Sequence, residues 1–93
     1  MADPGALEPS LQGLRVERTL DTRGIERPGD YLKAVEQLQQ MAENDVLELY
    51  INEGESLRTI PFGLRAEGHE ILVSEPAKVG VRLLVRKRSL VQQ

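Results

Sequence analysis

Residues 28–52 read PGDYLKAVEQLQQMAENDVLELYIN, and this stretch decides the fold. Its first half predicts an amphipathic helix. Leu32, Val35, Leu38 and Met41 or Ala42 recur at helical spacing and form one apolar stripe, while Lys33, Glu36, Gln37, Gln39 and Gln40 cover the remaining surface. Pro28-Gly29-Asp30 opens the helix. Asp30 is placed to act as the N-cap, accepting from free backbone N–H groups and suiting the positive end of the helix dipole, each effect being worth about 0.5 to 1 kcal/mol. Asn44-Asp45 closes it, and Val46 to Asn52 alternates as a strand. Leu47, Leu49 and Ile51 lie on one face of that strand and Val46, Glu48 and Tyr50 on the other.

Upstream, Leu14, Val16 and Leu20 sit at even spacing between Arg15, Glu17, Thr19 and Asp21, which predicts a short half-buried strand ending at an Arg23-Gly24 turn. Arg18 breaks the alternation. Downstream, Leu57, Ile60, Pro61 and Leu64 share a helical face, but Pro61 lacks a backbone N–H and Gly63 weakens the next turn. A short, kinked or two-part helix is expected there, with Gly68 as its C′ residue. His69 to Glu75 and Val79 to Lys87 then read as a hairpin connected around Pro76-Ala77-Lys78. The last strand sets Val79, Val81, Leu83 and Val85 against Arg82 and Arg86.

The order is β-α-β-α-β-β. Right-handed crossovers place both helices on one face, so the expected fold is an α+β two-layer sandwich with a four-stranded mixed sheet. The other sheet face carries Arg15, Glu17, Thr19, Glu48, Tyr50, Arg82 and Arg86, an ordinary solvated mixture of charges. One domain is expected over 14–88. Residues 1–13, with Pro4, Gly5, Pro9 and Gly13, read as a mobile N-terminal tail, and 89–93 as a C-terminal tail.

Composition narrows the function. A 93-residue chain with 40% hydrophobic and 29% charged residues reads as a small soluble domain. Its absence of cysteine excludes disulfides, thiolate metal sites, redox motifs and a thiol nucleophile. A net charge of -3 argues against nucleic-acid binding through charge alone. The three aromatics, Tyr31, Tyr50 and Phe62, are too few for a stacking platform. Neither a basic-plus-apolar leader nor a span-length apolar run is present, so the expectation is a cytoplasmic protein with no membrane association.

Leu20-Asp-Thr-Arg-Gly-Ile25, Pro28, Leu32-Lys-Ala34, Asp45-Val46-Leu47, Arg58-Thr-Ile-Pro61 and Gly68-His-Glu70 together resemble the TusA/SirA family of small sulfur carriers, over about residues 14 to 88. The resemblance implies a two-layer sandwich similar to the C-terminal domain of translation initiation factor three. It also implies chemistry at a Cys-Pro-x-Pro motif at the start of the first helix, where the dipole favours a thiolate that can carry sulfane sulfur. Aligned on Pro28, the cysteine position is Arg27 and the second proline position is Asp30. Arginine is always protonated and is no nucleophile, so the persulfide relay does not carry over. With no catalytic residue and no cofactor expected, the reading is a non-catalytic module that works by protein contact. Its partner is expected to be another protein, in a sulfur-handling or sulfur-regulated assembly of the kind where active relatives dock on cysteine desulfurases and acceptor proteins.

The surface expected to bind spans Arg23, Gly24, Glu26, Arg27, Asp30 and Tyr31. Arg23, Arg27 and the N–H groups near Gly29 could form an oxyanion pocket. Glu26 and Asp30 compete with an anion there, which favours the plainer account of a solvated loop with local ion pairs. His69, the one histidine, reads as part of a turn rather than as an acid or base, and no spacing of ligands suggests a metal. Glu53 and Glu55 suit the start of the second helix. The alternative function is RNA binding through Arg82, Arg86, Lys87 and Arg88.

Overall fold

In the computed structural model, which describes residues 14–89, the elements run β1 (Val16–Asp21), α1 (Gly29–Gln39), β2 (Val46–Ile51), α2 (Glu55–Ala66), β3 (Glu70–Pro76) and β4 (Val81–Arg86). Apart from Ser89, the expected tails lie outside the described residues. The sheet order is β1-β2-β4-β3, with β1 parallel to β2 and β4 antiparallel to both its neighbours. Because β4 inserts between β2 and β3, both helical crossovers advance in the same direction across the sheet. Right-handed crossovers then put both helices on one face, as expected.

The core lies between that face and the helices. Leu47, Leu49 and Ile51 of β2 and Leu83 and Val85 of β4 are fully buried against Ala34 and Leu38 of α1 and Ile60 and Leu64 of α2. The stripe on α1 is rotated from the sequence expectation. Asp30, Ala34 and Leu38, spaced by four, define the buried face, which turns Leu32 outward to 58% exposure. Met41, not Ala42, closes the stripe.

The second helix is continuous, neither kinked nor in two parts. Pro61 removes one bond to the Leu57 carbonyl, but its ring is buried beside Ile60 and Leu64, and packing offsets the loss. Gly63 is there for space. A Cβ at that position would lie 2.6 Å from Cε1 of Tyr31, so glycine lets α1 and α2 approach. The helix ends as the sequence implies. Gly68 has φ +102°, its N–H donates to Arg65 O (2.9 Å), and His69 N–H donates to Leu64 O (3.0 Å), the two bonds of a Schellman motif.

Three strands begin later than expected, β3 by one residue at Glu70 and β1 and β4 by two. Where Arg18 breaks the alternation, β1 carries an irregularity in its pairing with β2 between Val16 and Arg18, and Val16 is 40% exposed instead of inward. Val79 lies in the turn before β4 and is exposed. The open face is drier than its composition suggests. Val46 and Leu84 are buried there, and Leu84 sits between Arg82 and Arg86, whose aliphatic stems cover apolar surface. Above them Glu48 accepts from Thr19 Oγ1 (2.9 Å), Tyr50 Oη (3.1 Å) and Arg82 Nε (2.6 Å).

Candidate functional site

The loop from β1 to α1 is anchored on β2. Thr22 is fully buried, and its N–H and Oγ1 both donate to Tyr50 O at 2.9 Å. Asn52, just after β2, accepts from Gly24 N–H (3.0 Å) and donates through Nδ2 to Ile25 O (3.3 Å). The sequence reading did not single out Asn52; the one signal was a polar side chain immediately following a buried strand.

Arg23 is committed elsewhere than expected. Its Nε and Nη2 donate to the two carboxylate oxygens of Asp21 (2.9 and 2.7 Å), Nη1 donates to Val79 O (2.8 Å), and the guanidinium lies 4.6 Å from the centre of the Tyr50 ring. These bonds from Arg23 hold the Asp21 carboxyl down to about 2 and push the guanidinium up. Arg23 therefore belongs to the open sheet face. The structure does not bring it together with Arg27.

Glu26, Arg27 and Pro28 are exposed at the start of α1, and the Arg27–Pro28 peptide bond is cis. Neither Glu26 nor Arg27 forms an ion pair among the described residues. Asp30 is not the N-cap: Pro28 holds that position without a side-chain bond, and Asp30 lies inside the first turn. It is fully buried, its Oδ1 accepting from Tyr31 N–H (2.7 Å) and its Oδ2 from Ser56 Oγ (2.6 Å). Two helix N-terminal turns thus meet around one carboxyl group.

An open hollow of about 860 Å³ lies between Glu26, Arg27 and Pro28 on one side and Thr59 and Gly63 of α2 on the other, with Asp30 and Tyr31 also lining it. Burial pushes the Tyr31 phenol up, and the nearby Glu67 charge adds to the effect. A second hollow, of about 390 Å³, extends from Gly24 and Ile25 to Asn52, Glu53, Glu55 and Ser56. Glu26 and Arg27 line both, so Arg27 stands on the ridge between them. Ser56, Thr59 and Gly63 escaped the sequence reading because they join α1 only through the tertiary packing of α2.

The remaining candidates are dispersed. Glu55 is bonded by Arg58 (3.3 Å) in its own helix. His69 accepts the Arg88 N–H at Nδ1 (3.0 Å), fastening the start of β3 to the end of β4; burial first, and then the Lys87 charge, lower its pKa. Arg82 pairs with Glu48 and Glu75, Arg86 with Glu70, and Arg88 with Glu43 and Glu70. Lys87 instead donates to Leu38 O (2.6 Å) and Met41 O (3.1 Å) at the end of α1. The four cations do not form one unpaired basic surface. Among the described residues, no group of three or more His, Cys, Asp and Glu side chains could hold a metal, and no helix is long and apolar enough to cross a membrane.

Comparison with known proteins agrees with the architecture. A protein of Archaeoglobus fulgidus named "Putative sulfur carrier protein" is 28% identical over 78 residues, which cover 81% of this chain and 86% of that protein. Residues 18–87 match the family model described as Sulfurtransferase TusA. That match runs from β1 through the whole of β4, and it includes the loop where Arg27 stands in a chain without cysteine: the chain belongs to the TusA sulfurtransferase family.

Proposed function

We propose that this protein is a non-catalytic TusA-family module that binds another protein in a cytoplasmic, sulfur-handling assembly, through the loop and helix start from Arg23 to Tyr31. The observation that carries the reading is Arg27. It occupies the position that the family resemblance gives to the nucleophilic cysteine, it is exposed on the ridge between two hollows, and the chain holds no thiol to replace it. A guanidinium takes up no sulfane sulfur, but its planar fork of donors suits a carboxylate on a partner. The backbone beneath is held by Thr22 and Asn52, which lowers the ordering cost of a contact.

The test is direct. The protein is incubated with a persulfidated cysteine desulfurase, and its mass is measured; no change is expected, and a covalent gain of one sulfur overturns the reading. In parallel, binding to the purified desulfurase and to a sulfur acceptor protein is titrated by calorimetry. Binding to at least one of them is expected, weakened by Arg27→Glu; absence of binding to both also overturns the reading.

A further inference from the structure

We propose that the turn between β3 and β4 is part of the contact surface, with Val79 as its apolar anchor and Arg23 as the residue that positions it. This deepens the reading above and rests on it, because the occupant is the same partner whose carboxylate meets Arg27. The loop and helix start alone are too small for the task. A stable interface takes about 20 to 30 residues a side, so the contact extends to whatever surface adjoins them. β1 and β2 are parallel and β4 runs against β2, so the loop after β1, the residues after β2 and the turn before β4 share one end of the sheet. Neighbouring strands lie about 4.8 Å apart, which brings the three segments within roughly 10 Å of one another.

Successive residues at the end of β2 seat both the loop and the turn. Tyr50 O accepts from Thr22, Ile51 O lies against Gly80, and Asn52 bonds Gly24 and Ile25. Gly80 is buried, and a Cβ at that position would clash with the Ile51 carbonyl, so glycine lets the turn sit this close. Gly80 O accepts from Ala77 N–H (3.0 Å), and Arg23 Nη1 donates to Val79 O (2.8 Å). Arg23 is itself fixed by its bonds to Asp21 and lies against the Tyr50 ring. The backbone at Val79 is thus held on both sides, while the Val79 side chain is 66% exposed. An apolar side chain on an immobilised turn buries surface on binding with little ordering cost. Arg23 uses its donors within the chain, so it acts through Val79 rather than by touching the partner.

Calorimetric titration of the full chain and its variants against the purified desulfurase and the sulfur acceptor protein tests the proposal. Val79→Ser is expected to weaken binding at least about fivefold, and Arg23→Gln about three- to tenfold. In the double variant the Arg23→Gln change costs less than about twofold, because its effect runs through the Val79 contact. A merely structural effect of Arg23 would persist undiminished beside Val79→Ser. Circular dichroism melts confirm that each variant is folded. An affinity unchanged by Val79→Ser or by Arg23→Gln overturns the proposal, and so does full additivity of the two. Its failure is distinguishable from that of the proposed function: binding that depends on Arg27 but is indifferent to Val79 overturns only the role of the turn, whereas a wild-type chain that binds neither protein overturns both.

Discussion

Ser56 Oγ donates to Asp30 Oδ2 at 2.6 Å, so the second residues of α1 and α2 are joined through a carboxyl group with no exposed surface. A buried acceptor that loses its donor keeps its desolvation cost. Ser56→Ala is therefore expected to destabilise the fold by about 1 to 3 kcal/mol in urea denaturation. Thr59→Ala, one turn along and exposed, should change stability by less than about 0.5 kcal/mol. Equal effects from the two would show that the buried bond contributes nothing special.

Gly63 and Tyr31 set the spacing of the helices. In an open helix Gly→Ala stabilises by about 1 kcal/mol. Here the added methyl meets the Tyr31 ring, so Gly63→Ala should lower the melting temperature in the wild-type background. In a Tyr31→Ala background the same change should raise it. This reversal of sign in a double-mutant cycle is the measurement.

The Arg23–Asp21 pair predicts an acid-range titration. The Asp21 carboxyl is lowered from 3.8 to about 2, so its contribution to stability is present above the unfolded value and is lost as pH falls from about 4 to about 2. Its half-exposed position makes that contribution small. The carboxyl carbon resonance of Asp21 should titrate near 2 and move up toward 3.8 in Arg23→Gln; an unmoved midpoint would refute the assignment to Arg23.

His69 should titrate below its ordinary 6.5, because burial and Lys87 disfavour the imidazolium and Nδ1 is occupied as the acceptor of Arg88 N–H. Its stabilising effect is then complete above about pH 6.5 and declines as pH falls through the folded value. The Arg88 amide should shift in step with the imidazole. The neighbouring Glu43 contacts persist in that range, since bonds from Ser89, followed by Arg88, hold that carboxyl below the usual range. A His69 midpoint above 6.5, or an Arg88 amide that ignores it, counts against this arrangement.

Arg27→Cys should let the scaffold take up one sulfur from a persulfidated desulfurase, because the new thiol would stand at a helix start, where thiolates are favoured. Placing a proline at position 30, where the resemblance puts the second proline of the motif, is a different matter. Asp30→Pro removes the carboxyl that links the helices, and it should cost more than about 1 kcal/mol of stability. Mass spectrometry reads the first outcome and denaturation the second.

The alternation of Leu47, Leu49 and Ile51, the Gly68 cap and the β-α-β-α-β-β order were all legible, because each depends on local periodicity or local backbone geometry. The candidate loop was legible only as a location. Asp30 looked like a surface cap because an acidic residue after Pro-Gly usually is one; its burial depends on Ser56, 26 positions away. Arg23 looked like a neighbour of Arg27 because the two are four positions apart, yet Asp21, Tyr50 and Val79 hold it on the open sheet face. Pro61 and Gly63 looked like breaks in a helix because propensity describes an isolated segment, and tertiary packing overrides it.

The sequence by itself determined the element order, the sheet face that carries the core and the absence of any thiol, since these follow from pattern and composition. Only the tertiary structure decided which charges are already paired, which carboxyl is buried between two helices, and which residues of α1 and α2 line one hollow. Those properties are set by side chains brought together from distant parts of the chain, and periodicity within one element carries no information about them.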